Sequence, residues 1–245
     1  MTAWASGAAY DPFIGRWSRL VAREFVASLG IVPGARWVDV GCGTGALTET
    51  ILRDAAPASV TGVEPSEAFA AHARAAIPEA RVVRGSATAL PLRDDTADVV
   101  VSGLVLNFVP DPARAVAEAR RVGRTVASYV WDYGAMEMLG HFWAAAGDLG
   151  HDETLRSPMV HPVTLGELIG GEPYAIDVSL RYADFDDYWT PFLGGTGPAP
   201  AYLATLDGAS RDALRERVRA RLPIAADGSI PLTARAWAVR ASQTP

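Results

Sequence analysis

Val38-Asp39-Val40-Gly41-Cys42-Gly43-Thr44-Gly45-Ala46 is the stretch whose reading decides the fold. A β-branched run gives way to three glycines at alternate positions, and then Leu47, Ile51 and Leu52 recur at helical spacing. A strand therefore turns sharply into a helix, with glycines where the backbone must bend or approach a ligand closely. The alternation continues outward. Short strands are expected at Trp37 to Val40, Val60 to Glu64, Arg81 to Arg84, Asp98 to Ser102 and Thr125 to Trp131, with Ala-rich helical stretches between them. That is the pattern of βαβ units and a parallel sheet. Ser66 is placed as one helix N-cap; Asp111 followed by Pro112 starts another helix, which stops near Gly123. Upstream, Trp17, Leu20, Val21, Phe25 and Leu29 trace the apolar stripe of a leading helix. Downstream the pattern loosens into a helical piece over Met136 to Ala146, a short helix near Leu165 to Ile169, a strand around Ala175 to Tyr182, an aromatic segment, a Gly/Pro bend from Gly194 to Pro200, a helix near Ser210 to Leu222 and a closing strand from Ile230 to Val239.

Composition narrows the chemistry. At 245 residues, 49% hydrophobic and 20% charged, the chain reads as a single α/β domain with one core. All 22 basic residues are arginine, so lysine Schiff bases and the phosphate loop ending in Gly-Lys-Ser/Thr are excluded. A single cysteine, Cys42, excludes intrachain disulfides, Cys-rich zinc sites and cysteine-ligated iron–sulfur clusters. No histidines and carboxylates show metal-ligand spacing, and no metal is expected. A net charge of −6 disfavours a broad nucleic-acid face. Met1 to Ala9 lacks the marks of a secretion signal and Val99 to Val109 is too short and too interrupted to span a membrane, so a cytoplasmic protein with no membrane partner is expected.

The glycine turn admits three readings. Gly41, Gly43 and Ala46 satisfy G-x-G-x-x-A, with Glu64 about twenty residues on, as in a dinucleotide site; a tight turn with a capping aspartate is the bland alternative. Asp39 weighs against pyrophosphate, because a buried carboxylate at the strand end would face like charge with no lysine to compensate. A cofactor without phosphates and with positive charge would suit it. S-adenosylmethionine has a sulfonium, an ammonium and a ribose whose hydroxyls match a carboxylate such as Glu64.

Asp39-Val40-Gly41-Cys42-Gly43-Thr44-Gly45, then Gly62-Val63-Glu64-Pro65-Ser66, then Ala89-Leu90-Pro91 with Asp98 opening the next strand, resemble the class I S-adenosylmethionine-dependent methyltransferases, and most of all the ubiquinone and menaquinone biosynthesis group. The motifs cover about Tyr10 to Asp132. The resemblance implies a Rossmann-like, mostly parallel seven-stranded sheet with helices on both faces and lid insertions after the fifth and sixth strands. It divides the single domain into a leading helical segment (1–30), a cofactor-binding core (31–132) and lid insertions with closing strands (133–245). It implies that Asp39, Gly41, Gly43 and Gly45 line the methionine side, that Glu64, followed by Pro65, binds the ribose, that Ser86 and Ala87 face adenine, and that Leu106-Asn107-Phe108 pass near the sulfonium, with Leu104 also counted among the cofactor-binding residues. Tyr10 and Arg16 belong to a segment that closes over the methionine end. Two departures stand out: Ser86 replaces a frequent Asp, and Val122-Gly123-Arg124-Thr125 lacks the frequent Pro-Gly-Gly.

The expected partner is a small-molecule methyl acceptor; RNA or protein methylation and a catalytically silent binding module are the alternatives, and oligomeric state is left open. Transfer from a sulfonium relies on alignment and water exclusion, with a base useful only for a hydroxyl acceptor. Candidate catalytic residues are Asp132 and Tyr133 at the end of the fifth strand and His141 beyond it, with His161 as a further candidate. Trp131, Tyr188, Trp189 and Phe192 are candidates for the acceptor wall, against the alternative of a satellite core. The arginines of 211–221 read as a solvated helix face rather than an RNA contact.

Overall fold

The computed structural model describes residues 11–150, 162–194 and 197–242. Tyr10, His151 and His161, and with them parts of the 133–161 excursion, lie outside the described residues. The chain forms two compact units, one of Ser18–Trp131, Met159–Ile176 and Ala236–Pro245, the other of Met1–Trp17, Asp132–Pro158 and Asp177–Arg235.

Seven strands make one sheet: β1 (Arg36–Val40), β2 (Ser59–Glu64), β3 (Arg81–Arg84), β4 (Ala97–Gly103), β5 (Gly123–Asp132), β6 (Tyr174–Tyr182) and β7 (Ile230–Ser242). Their order is β3-β2-β1-β4-β5-β7-β6. The pairings among the first five are all parallel, with Asp39 opposite Gly62 and Val101, and Glu64 opposite Arg84. The order reverses at β1, between β2 and β4, and ligands of open α/β sheets gather beyond the carboxyl ends at such a point. The glycine stretch sits there.

In the first unit α1 (Arg16–Leu29) contributes its part from Ser18, then come α2 (Ala46–Asp54), α3 (Glu67–Ala76), α4 (Pro112–Val122) and α6 (Pro162–Ile169); α5 (Glu137–Gly147) belongs to the other unit. Strand alternation places helices on both faces of this part of the sheet. Phe25 of α1 meets Tyr129 with ring centroids 4.7 Å apart, whereas the next residue, Val130, shares a buried cluster with Val116 and Ala119 of α4. The expected caps form: Asp111 accepts from Arg114 N–H at 2.9 Å, with proline in the first turn, and Ser66 accepts from Phe69 N–H. β5 starts two residues before the expected Thr125. The cause is Gly123, where a Cβ would lie 2.6 Å from Val100 Cγ2, so only glycine lets α4 pass straight into the strand.

The second unit departs more from expectation. The aromatic segment is a helix, α7 (Phe185–Gly194), and Phe185, Tyr188, Trp189 and Phe192 are its buried stripe. Of the expected Gly/Pro bend from Gly194 to Pro200, residues 195–196 lie outside the described residues, and Pro198 and Pro200 fall in the first turn of α8 (Pro198–Thr205). There proline's fixed φ favours the helix. α9 (Gly208–Arg221) is capped by Asp207, and its arginines serve their own unit. Arg215 and Arg219 lie 4.9 and 4.1 Å from the centre of the Phe185 ring, while Arg215 pairs with Asp186 and Arg221 with Asp148.

Candidate cofactor site

Three positive φ values build the turn after β1: Gly41 at 76°, Gly43 at 55° and Gly45 at 98°. A Cβ on Gly41 would lie 2.5 Å from Val105 Cγ2, whereas one on Gly43 would meet nothing closer than the Gly41 carbonyl at 4.0 Å. Gly41 is thus glycine for packing; Gly43 fronts open space. Gly41 N–H and Cys42 N–H both donate to the Val63 carbonyl, at 2.7 and 3.2 Å, locking the turn to the end of β2. Gly43 N–H then donates to Glu64 Oε2 at 3.0 Å and Ser66 N–H to Oε1 at 2.9 Å. Each carboxylate oxygen keeps a further lone pair.

Two buried carboxylates share this turn. Asp39, only 1% exposed, accepts from Thr48 Oγ1 at 2.7 Å. Burial drives its pKa up to about 7; the Thr48 hydrogen bonds oppose the rise and the Glu64 charge adds to it. Glu64 is also raised by burial, against the pull of the Ser66 and Gly43 N–H groups. Burial likewise pushes the Cys42 thiol up, so this cysteine fills space as a neutral group.

Around the turn lie the other expected cofactor residues of this unit. Pro65 follows Glu64, exposed. Gly85 N–H donates to the Glu64 carbonyl at 3.2 Å, bringing the turn of Ser86 and Ala87 up beside it. Leu104 has a left-handed φ of 63° and donates its N–H to the Tyr129 carbonyl. Such a conformation in a non-glycine residue is a local strain that tends to gather at functional sites. It opens a short turn, Leu106–Phe108, in which Asn107 Oδ1 is buried without a partner among the described residues. Trp131, at the far end of β5, is buried, and its Nε1 likewise has no partner among the described residues.

The remaining expected residues lie in the second unit. Asp132 Oδ1 accepts from Gly134 and Ala135 N–H at 3.0 and 3.2 Å, capping the turn that contains Tyr133. His141 is half-buried on α5, and burial lowers its pKa. Arg16 grips Asp187 through both terminal nitrogens, at 2.7 and 3.3 Å, with its guanidinium 4.9 Å from the centre of the Tyr182 ring. Tyr188 and Phe192 are fully buried and Trp189 nearly so. Phe142 stacks on Phe192 at 4.8 Å, and Tyr188 donates to the Met138 carbonyl at 2.7 Å. Among the described residues no three His, Cys, Asp or Glu side chains gather to hold a metal, and no helix is long and apolar enough to cross a membrane.

Residues 38–128, from the glycine turn to the middle of β5, match the methyltransferase-domain family. That stretch is similar to a methyltransferase domain. A demethylmenaquinone methyltransferase of Renibacterium salmoninarum is 36% identical over 107 residues, 44% of this chain and 43% of that protein. A trans-aconitate 2-methyltransferase of Variovorax paradoxus is 34% identical over 90 residues, 37% of this chain and 35% of that one. The matched stretches thus span less than half of either relative. Among solved structures, the YcgJ protein of Bacillus subtilis superposes with a TM-score of 0.58 at 15% identity, covering 92% of this chain and 98% of its own, a likeness of fold.

The turn of the matched stretch has a geometry that suits S-adenosylmethionine. Open space lies before Gly43, Glu64 has unfilled lone pairs beside it, and the groups acting on buried Asp39 are the hydroxyl and backbone N–H of Thr48 and a second carboxylate rather than a cation. The sequence reading missed Thr48 and Thr88. Thr48 carried a signal, a buried-face position on α2 nine residues after Asp39; Thr88 carried none.

Proposed function

We propose that this chain transfers a methyl group from S-adenosylmethionine to a small organic acceptor. The observation that carries the reading is Asp39, a buried carboxylate held against ionisation and facing the same turn as Glu64. A positively charged ligand is what would offset its desolvation, and a pyrophosphate would aggravate it. When bound, the cofactor supplies a methyl group on a sulfonium, already activated for displacement.

Within the domain, ionised Asp39 holds the positive end, the spare lone pairs of Glu64 accept the ribose hydroxyls, and the glycine backbone allows close approach. Pro65, Ser86 and Ala87 border the base, while Leu104 and Asn107 border the reacting end. Trp131, Asp132 and Tyr133 are assigned to the acceptor, with Asp132 or His141 taking a proton only where the acceptor is a hydroxyl. Tyr188, Trp189 and Phe192 remain candidates for acceptor specificity, and Arg16 for the methionine carboxylate, which would compete with Asp187. The salt bridges and ring contacts of α9 favour a small acceptor over RNA. A cytoplasmic location is part of the same proposal.

Calorimetry with S-adenosylhomocysteine and NAD tests the cofactor, the first expected to bind and the second not. Methyl-labelled S-adenosylmethionine incubated with fractionated metabolites tests the transfer. NAD binding without S-adenosylhomocysteine binding overturns the reading.

A further inference from the structure

Ser86 stands two residues beyond β3, on the rim that runs from Gly43 through the Glu64 carboxylate and the Glu64 carbonyl to Gly85. Its hydroxyl is tied to a second one. Ser86 Oγ lies 2.9 Å from Thr88 Oγ1, with either atom able to donate, and accepts Thr88 N–H at 3.3 Å.

A hydroxyl has one proton and two lone pairs. The Thr88 N–H occupies one lone pair of Ser86, which leaves two arrangements of the pair. When the Thr88 hydroxyl donates to Ser86, the second lone pair is filled and the Ser86 proton is free to point outward. When Ser86 donates to Thr88, the Ser86 proton is used and a lone pair is left outward. The same atom is a donor in one arrangement and an acceptor in the other. Ser86 is exposed, so the exchange requires only two hydroxyl rotations. A carboxylate at this position would offer acceptors alone.

We propose that the Ser86–Thr88 hydroxyl pair reads the edge of the cofactor's purine without distinguishing a 6-amino from a 6-oxo base, so that the site takes S-inosyl as readily as S-adenosyl ligands. The inference rests on the cofactor reading above, which puts the base at this turn. A 6-amino purine shows a donor at position 6 and a bare ring nitrogen next to it; a 6-oxo purine shows an acceptor and a ring N–H. The two arrangements of the pair complement the two edges.

The test is calorimetry on the whole chain with S-adenosylhomocysteine and S-inosylhomocysteine. Because the pair can donate or accept, the two dissociation constants should agree within about threefold in the wild type. In Ser86→Asp the acceptor-only carboxylate should favour the adenosyl ligand by about tenfold or more. Ser86→Ala should weaken both ligands by the same factor, and it keeps the test decisive if the aspartate variant folds poorly. A wild-type preference for the adenosyl ligand beyond about thirtyfold, or a Ser86→Asp ratio equal to the wild-type ratio, overturns the inference while leaving the cofactor reading intact. Binding of neither ligand removes both.

Discussion

Replacing Asp39 with Asn should make the unliganded protein more stable and the liganded one weaker. An unburied aspartate titrates at 3.8 and Asp39 at about 7. At about 1.4 kcal/mol per tenfold change in acidity, the difference amounts to about 4 kcal/mol. The sign follows from proton linkage: between these values the folded state holds more protons than the unfolded one, so stability falls as pH rises from about 4 to 7. Below that window Asp39 is neutral in both states and costs nothing; above it the full cost is present. The amide oxygen of an asparagine at this position can still accept from Thr48 Oγ1. Asp39→Asn should therefore add up to about 4 kcal/mol at pH 8, little at pH 4, and flatten the slope between. Urea unfolding of the ligand-free protein at several pH values reads this directly. Binding should show the complement: wild-type affinity for S-adenosylhomocysteine rises from pH 6 to pH 8 as Asp39 ionises, and the variant binds more weakly with no such rise. An Asn variant less stable than wild type at pH 8, or wild-type binding flat from pH 6 to pH 8, would refute the reasoning.

Glu64→Ala should weaken S-adenosylhomocysteine binding by roughly 1.5 to 3 kcal/mol, since it removes the acceptors for two hydroxyls; calorimetry showing an unchanged dissociation constant removes Glu64 from the site. Asp132→Asn keeps an oxygen to accept from Gly134 and Ala135, so thermal stability should hold. Turnover lost with cofactor affinity intact then marks a base, and turnover retained marks transfer by alignment. Trp189→Ala should cost about 3 to 5 kcal/mol of stability, because the side chain is buried in its own unit's core. Trp189→Phe should restore the fold, and a raised Michaelis constant for the acceptor in that variant is what assigns α7 to specificity.

Most of the β1 to β5 region was legible because its signals are local. Asp39 followed by alternate glycines fixes the turn, Asp111-Pro112 fixes a cap, and β-branched runs fix the strands, each within a few residues. The aromatic run was readable in principle: Phe185, Tyr188, Trp189 and Phe192 recur at three, four and seven residues, the spacing of one helix face, but Pro191 and the neighbouring glycines obscured it. Proline in the last turn of α7 and the first turn of α8 breaks less than its reputation suggests. The partner of Arg16 could not be read at all. Asp187 lies 171 positions away, and nothing in either neighbourhood announces the other.

The two carboxylates of the turn differ in a way that composition cannot show. Glu64 receives two backbone N–H groups, donors fixed by the fold and present whether or not a ligand arrives. Those oppose the burial that raises it. Asp39 leans on Thr48 and feels Glu64 nearby, so its charge is poorly supported until a cation comes. A rim built by Glu64 and the glycine backbone offers acceptors to neutral hydroxyls. In the proposed site the charge on Asp39, by contrast, would be a property of the complex. On the proposed cofactor reading, affinity for a positively charged ligand is stored as instability of the empty site, and stabilising that site by removing the carboxylate should weaken cofactor binding.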